Sequence, residues 1–194
     1  MPPLHRHFYL RPTLQVARAL LGKVIVRRTE SGFLSGRIVE TEAYLGTTDP
    51  ASHAYRGKTG RNSVMFSLGG TLYVYFTYGM HFCANVVTGV EGKAEAVLIR
   101  GVEPIEGIDL MRQNRGFADD GKDRQLTNGP AKFCQAFGIA REQNGVDLCG
   151  DVLFVADDSM AAPMIISTSS RIGIAAGKEK PWRFFIKGNG YVSK

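Results

Sequence analysis

Arg37-Ile-Val-Glu-Thr-Glu-Ala-Tyr-Leu-Gly46 is a strand-forming run that carries two acids and a tyrosine at alternate positions. Successive strand side chains point to opposite faces, so Ile38, Glu40, Glu42 and Tyr44 are expected to share one face. An ionised carboxylate loses hydration on a buried sheet face unless something pairs with it. Two acids in such a row therefore point either to chemistry or to half-exposed acids paired with some of the many arginines. The run also ends a longer strand, Phe33 to Tyr44, preceded across a Ser31-Gly32 turn by a strand from Val24 to Arg27, and the pair is expected to form a hairpin.

Outward from that hairpin, Pro12 to Leu21 followed by Gly22 has an initial proline, helical apolar spacing and a terminal glycine, which predict a short helix. Thr71-Leu-Tyr-Val-Tyr-Phe-Thr77 and His81 to Thr88 are rich in aromatic and β-branched residues and predict a second hairpin with Tyr78-Gly79-Met80 at its tip. Glu95 to Val102 reads as a strand, Pro104 to Arg115 and Gly129 to Phe137 as helices, and Val152 to Val155 and Phe184 to Lys187 as late strands. Strands and helices do not alternate regularly, which argues against a doubly wound parallel sheet. The expected fold is α+β: a mixed, largely antiparallel curved sheet with flanking helices and a protruding hairpin.

No repeat, low-complexity tract or linker divides the 194 residues, so one domain over 1–194 is expected. No stretch approaches the roughly 18 apolar residues of a membrane span, and Met1-Pro-Pro-Leu-His-Arg lacks a signal peptide's apolar core, so the expected location is cytoplasmic. Cys83, Cys134 and Cys149 are odd in number and widely spaced, without a Cys-x-x-Cys pair or a His-x-x-x-His partner, and read as free thiols rather than metal ligands. The net charge is +6, and 15 of the 24 basic residues are arginine. Arginine's planar fork suits phosphate, which favours nucleic acid as partner over a merely basic enzyme.

Residues i and i+2 of a strand lie roughly 6.5 Å apart, near the spacing of a glycosidase acid and base. They project in parallel from one surface, however, so a sugar does not fit between them. One acid is expected to act and the other to support it. Glu42, nearer the Leu45-Gly46 strand end where a pocket can open, is the stronger candidate, with Glu40 as the alternative. A lone general base can activate water against a bond whose leaving group departs easily, such as the N-glycosidic bond of a damaged or positively charged purine. Tyr44 and Tyr75 can then stack on a flipped base or, alternatively, serve as core tyrosines. Tyr78 at a glycine-containing tip either wedges into a duplex or folds back on the sheet. His53 can bond at the pocket rim or be incidental. Arg56, Lys58 and Arg61 suit phosphates as well as they suit a solvated loop. Gly57-Lys58-Thr59 imitates the end of a phosphate-binding loop, but Ser52 replaces the glycine that motif needs, which rejects a nucleotide triphosphatase.

Arg37 to Gly46, Gly70-Thr-Leu-Tyr-Val-Tyr-Phe-Thr-Tyr-Gly-Met80, Phe82-Cys-Ala-Asn85, Val97-Leu-Ile-Arg100 and Asn128-Gly-Pro-Ala-Lys-Phe-Cys-Gln135 together resemble the alkyladenine DNA glycosylases, also called 3-methyladenine or methylpurine glycosylases. The resemblance runs in order from about residue 7 to residue 190. It implies a monofunctional base-excision enzyme that flips a damaged purine from duplex DNA and hydrolyses its bond to the sugar, with no cofactor and no metal. Glu42 matches the family's general base, and Arg100 an arginine that helps hold the substrate near the catalytic water. Tyr44, His53 and Tyr75 match residues that stack on or hydrogen-bond the flipped base. Asn85 matches a pocket-floor asparagine that disfavours a guanine-type amine, and Tyr78 the intercalating residue. Glu40 is left as scaffold. The loop from Ala54 to Gly60 departs from the family in length and residues. The chain lacks the long N-terminal extension of animal members, so a bacterial, nucleoid-associated monomer is expected, with double-stranded DNA as its partner. Two rivals remain: a glycoside or nucleoside hydrolase using Glu40 and Glu42 as a pair on free small molecules, and a module that binds distorted DNA or RNA without chemistry.

Overall fold

The chain turns at Glu30 and Ser31 between β1 (Val24–Thr29) and β2 (Gly32–Leu45), pairing Thr29 with Gly32 and Val24 with Arg37. The structure, a computed structural model, describes residues 1–77, 79–118, 120–157 and 164–193. β3 (Leu72–Thr77) and β4 (His81–Thr88) form the second expected hairpin. β5 (Glu95–Glu106) lies between β4 and β2, and β6 (Leu153–Ala156), β7 (Ile166–Ser169) and β8 (Arg183–Ile186) complete the sheet. The strand order is β3-β4-β5-β2-β1-β6, with β8 joined to β2 beyond the end of β1 and β7 paired to β8. All these pairings are antiparallel, as expected for this α+β class. Tyr78, expected at the tip of the second hairpin, lies outside the described residues.

Around Glu40 the pairing of β2 with β5 slips twice, between Ile38 and Glu40 and between Glu40 and Thr41, leaving Val39 and Arg100 as extra residues. Such bulges bend a strand and re-aim its side chains, and here they curl the sheet about β2. They also correct the expected face. Ile38 joins the main apolar core, whereas Glu40, Glu42 and Tyr44 point to the opposite side.

Among the described residues, four α-helices cover one side of the sheet: α1 (Arg6–Tyr9), α2 (Thr13–Ala19), α3 (Ile108–Arg115) and α4 (Pro130–Ala136). Val16, Ala17 and Leu20 from the α2 region and Phe133 and Phe137 from the α4 region meet Val74, Val86, Val97 and Ile99 from the strands in one buried cluster. Full burial of each large side chain contributes roughly 1.5–3 kcal/mol. The Thr41 hydroxyl, facing this side, donates to the Ala17 carbonyl at 2.9 Å and ties α2 to β2.

The helix expected from Pro104 starts instead at Ile108, because Pro104 belongs to β5 opposite Gly36, beside a further slip in register. A proline there donates no ladder bond, and an irregular point of the sheet tolerates that loss. Gly107 makes the junction: its φ of 78° is left-handed, and a Cβ would lie 2.3 Å from the Phe33 carbonyl oxygen. α1 and β7, each of four residues, were not expected from the sequence. Cys83 and Cys134 are buried free thiols, and Cys149 is half-buried. No helix among the described residues is long and apolar enough to cross a membrane.

Candidate active site

Directly opposite residues in antiparallel strands share a face. The register Tyr73–Asn85, Asn85–Leu98 and Leu98–Glu42 therefore draws one row of side chains across β3, β4, β5 and β2. Two residues along each strand bring Tyr75, Cys83, Arg100 and Tyr44 to the same face. A cleft of about 550 Å³ opens over this row, walled by Tyr44, His53, Tyr73 and Tyr75, with Asn85 and Arg100 reaching into it. The segment from Ile172 to Ala176 closes its remaining side.

Glu42 is fully buried at the end of the row. Its Oε1 accepts the Ile172 backbone N–H at 2.8 Å and lies 3.4 Å from Arg100 Nη1, while its Oε2 accepts the Tyr44 hydroxyl at 2.8 Å. Burial pushes the Glu42 carboxyl above the usual carboxylate range, although Arg100, the Ile172 amide and the Tyr44 hydroxyl each pull it back. Burial and the adjacent Glu42 charge both raise the Tyr44 phenol, so Tyr44 stays protonated and donates.

Glu40, the other acid of the pair, is differently placed. Its Oε1 accepts from Arg183 Nε at 2.6 Å, from the Ser193 hydroxyl at 2.8 Å and from Arg100 Nε at 3.1 Å, and its Oε2 accepts the Ser193 N–H at 2.7 Å. These four bonds tie it into the scaffold, and neither acid itself lines the cleft: Glu42 meets it through Tyr44, Arg100 and Ile172, which do.

His53 sits edge-on to Tyr75, with ring centroids 4.4 Å apart, and its Nδ1 lies 3.2 Å from the Tyr73 hydroxyl. Its outer edge meets solvent, yet desolvation by these rings, with the charge of Arg61, lowers its pKa and favours the neutral imidazole. Tyr73 and Tyr75 stack at 5.5 Å. Burial pushes the Tyr73 phenol up to about 12. Asn85 donates to the Tyr73 carbonyl at 3.3 Å. In the basic loop, Arg56 and Lys58 are exposed. Arg61 instead donates to the Phe76 carbonyl at 2.9 Å, at the root of the hairpin.

Sequence reasoning did not identify Tyr73 or the segment beginning at Arg171. Arg171 is buried, donates to the Ala43 carbonyl at 2.9 Å and forms a forked ion pair with Asp49. Its guanidinium also lies over the rings of Tyr44 and Trp182, at 4.7 and 5.1 Å. The available signal was a lone arginine between small residues, Ser170-Arg-Ile-Gly173, in a stretch without periodicity. Among the described residues no group of three His, Cys, Asp or Glu side chains is arranged to hold a metal ion.

The arrangement offers a buried carboxylate oriented by two hydrogen-bond donors, a cation beside it and a slot with flat aromatic walls. The family model described as Methylpurine-DNA glycosylase (MPG) matches residues 7–190. A protein of Carboxydothermus hydrogenoformans named "Putative 3-methyladenine DNA glycosylase" is 52% identical over 193 residues, covering 98% of both chains. Proteins of the same name from Chlorobium luteolum and Desulfitobacterium hafniense are 49% and 48% identical, each covering all of this chain and 98% and 99% of their own length. With a match that spans every wall of the cleft and relatives similar along their whole length, the chain belongs to the methylpurine-DNA glycosylase family.

Proposed function

We propose that the protein excises alkylated or deaminated purines, of the 3-methyladenine, 7-methylguanine, hypoxanthine and ethenoadenine type, from duplex DNA by simple hydrolysis. The observation that carries this reading is the buried Glu42 carboxylate, held by Ile172, Tyr44 and Arg100 at the end of an aromatic-walled row. In the reaction, Glu42 takes a proton from water as the water oxygen bonds to the sugar C1′. The C1′–N9 electron pair leaves with the base: a cationic alkylated purine departs neutral, an uncharged one such as hypoxanthine takes up the proton that Glu42 drew from the water, and an abasic site remains. Arg100 keeps the carboxylate ionised and helps hold the substrate beside the water, and the carboxylate stabilises the cationic sugar as it develops. Extrusion of a nucleotide costs a few kcal/mol and least for damaged or mispaired bases. Tyr44, Tyr75 and His53 grip the electron-poor ring, and Asn85 discriminates against a guanine-type amine.

Tyr78 is the proposed wedge at the hairpin tip. Its neighbours Phe76 and Met80 are exposed, which suits an end that meets stacked bases. Water rather than an amine is the proposed nucleophile, and no lysine is among the described residues that line the cleft. The enzyme is therefore proposed to be monofunctional and to leave the strand uncut.

The test is single-turnover release of base from a duplex carrying one hypoxanthine or ethenoadenine, with alkali used to cleave abasic sites. The native protein is expected to yield alkali-dependent breaks. Glu42→Gln is expected to slow release by about 10²- to 10⁴-fold while still binding the damaged duplex. Damage-selective binding without any release would replace this reading with that of a binding module.

A further inference from the structure

We infer that Ser193, in the segment after β8, is a positioning residue that holds Arg100 against Glu42, so that docking of this tail completes the catalytic pair. The inference rests on the reading of Glu42 as the base. Each nitrogen of the Arg100 guanidinium has one partner: Nε donates to Glu40 at 3.1 Å, Nη2 to the Ser193 hydroxyl at 3.1 Å, and Nη1 faces Glu42 at 3.4 Å. The contact to Glu42 is the longest of the three, so the other two set the plane of the fork. The Ser193 hydroxyl has a single proton, which it donates to Glu40, leaving its oxygen free to accept from Arg100. The Ser193 N–H donates to Glu40 Oε2, and its carbonyl accepts from Arg183 at 3.0 Å. Three polar groups of one tail residue thus lock the back of the Arg100–Glu42 pair.

The backbone around Arg100 is shaped for the same contact. A Cβ at Gly101 would lie 2.6 Å from the Tyr191 carbonyl oxygen and 3.2 Å from Glu40. Glycine at this position lets the tail lie directly on β5, beside the bulge that presents Arg100. Asn189 fastens the tail further back, donating to Glu103 at 3.1 Å and accepting the Tyr191 N–H at 2.9 Å.

Without the Ser193 hydroxyl the Arg100 fork can turn about its remaining bond to Glu40, and Glu42 loses part of its cation. The groups that face Glu42 are Arg100 from β5, Cys83 from β4, Arg183 opposite it on β8, Arg171 from the segment before β8, and Glu40 and Tyr44 on its own strand. Of these, the Ser193 hydroxyl touches Arg100 and Glu40, and Arg100 is the one of the two that carries the charge opposite to Glu42's.

Two variants test the idea, Ser193→Ala and Gly101→Ala, each read by single-turnover base release across pH and by NMR titration of the Glu42 carboxyl. Both folded variants are expected to bind damaged duplex like the native protein. Their acid limb and the Glu42 titration are expected to move up together by about one pH unit, so that release below the limb slows roughly tenfold and recovers at higher pH. An unmoved limb and an unmoved Glu42 titration in both variants would overturn the inference, as would a uniform loss of rate at every pH with the titration unchanged. If the native protein releases no base yet Ser193→Ala still shifts the Glu42 titration, the glycosylase reading fails and the positioning role stands.

Discussion

Tyr44 serves two purposes with one side chain. Its hydroxyl donates to Glu42 at 2.8 Å, and its ring walls the cleft with the Arg171 guanidinium 4.7 Å from its centroid. Tyr44→Phe separates the two roles. The bond to Glu42 favours the ionised carboxylate, so its removal raises the Glu42 pKa and moves the acid limb of base release upward, while rates well above the limb approach the native value. A pH–rate profile of the variant checks this, and a lower rate with an unmoved limb would deny the hydroxyl that role. Tyr75, which makes no hydrogen bond to Glu42, is proposed to contribute by stacking alone. Tyr75→Leu is expected to weaken binding of a damaged duplex by about 1–3 kcal/mol and to leave binding of undamaged duplex unchanged, as measured by competition titration.

Between elements, the Asp49–Arg171 pair joins three pieces of the cleft: the end of β2, the loop that leads to His53, and the segment that carries Ile172. Asp49 also accepts the N–H groups of Leu45 and Ala51. Burial pushes the Asp49 carboxyl up, but its bonds to Arg171 and to these amides outweigh that and hold it below the usual carboxylate range. Its stabilising effect is complete above the ordinary aspartate pKa and fades as pH falls through the lower folded value. Asp49→Asn strands the buried guanidinium, with an expected loss of about 3–5 kcal/mol in urea unfolding at neutral pH. That difference from the native protein is expected to shrink in acid. This clamp was not legible in the sequence, because partners 122 residues apart leave no periodic trace. Glu42 and Tyr44 were legible, since they follow strand alternation within a few residues of each other. Ile38 followed the same alternation and broke it, because pairing against β5 inserts Val39, and a bulge belongs to two strands at once. Pro104 was misread for a related reason: it resembles a helix start locally but sits at a slip in strand register. α1 and β7 are too short for any window of periodicity to detect.

At the scale of the molecule, the +6 net charge predicts that affinity for undamaged duplex falls steeply with salt as phosphate contacts release counterions. The single-turnover rate of bound substrate is expected to change little, because the Glu42–Arg100 pair is buried away from the ions. A salt titration that reads binding and chemistry separately checks this, and parallel losses in both would place salt-sensitive contacts in the chemical step.

The row Tyr73–Asn85–Leu98–Glu42 takes one residue from each of four strands. No local segment contains the proposed catalytic apparatus, and neither hairpin assembles it alone. Strand pairing of such long range is a slow part of folding, because chain-closure entropy is lost before contacts reward it. Recovery of activity during refolding should therefore trail the return of β-sheet signal from the two hairpins, so that a chain caught part-way is inert rather than an indiscriminate cutter of normal bases.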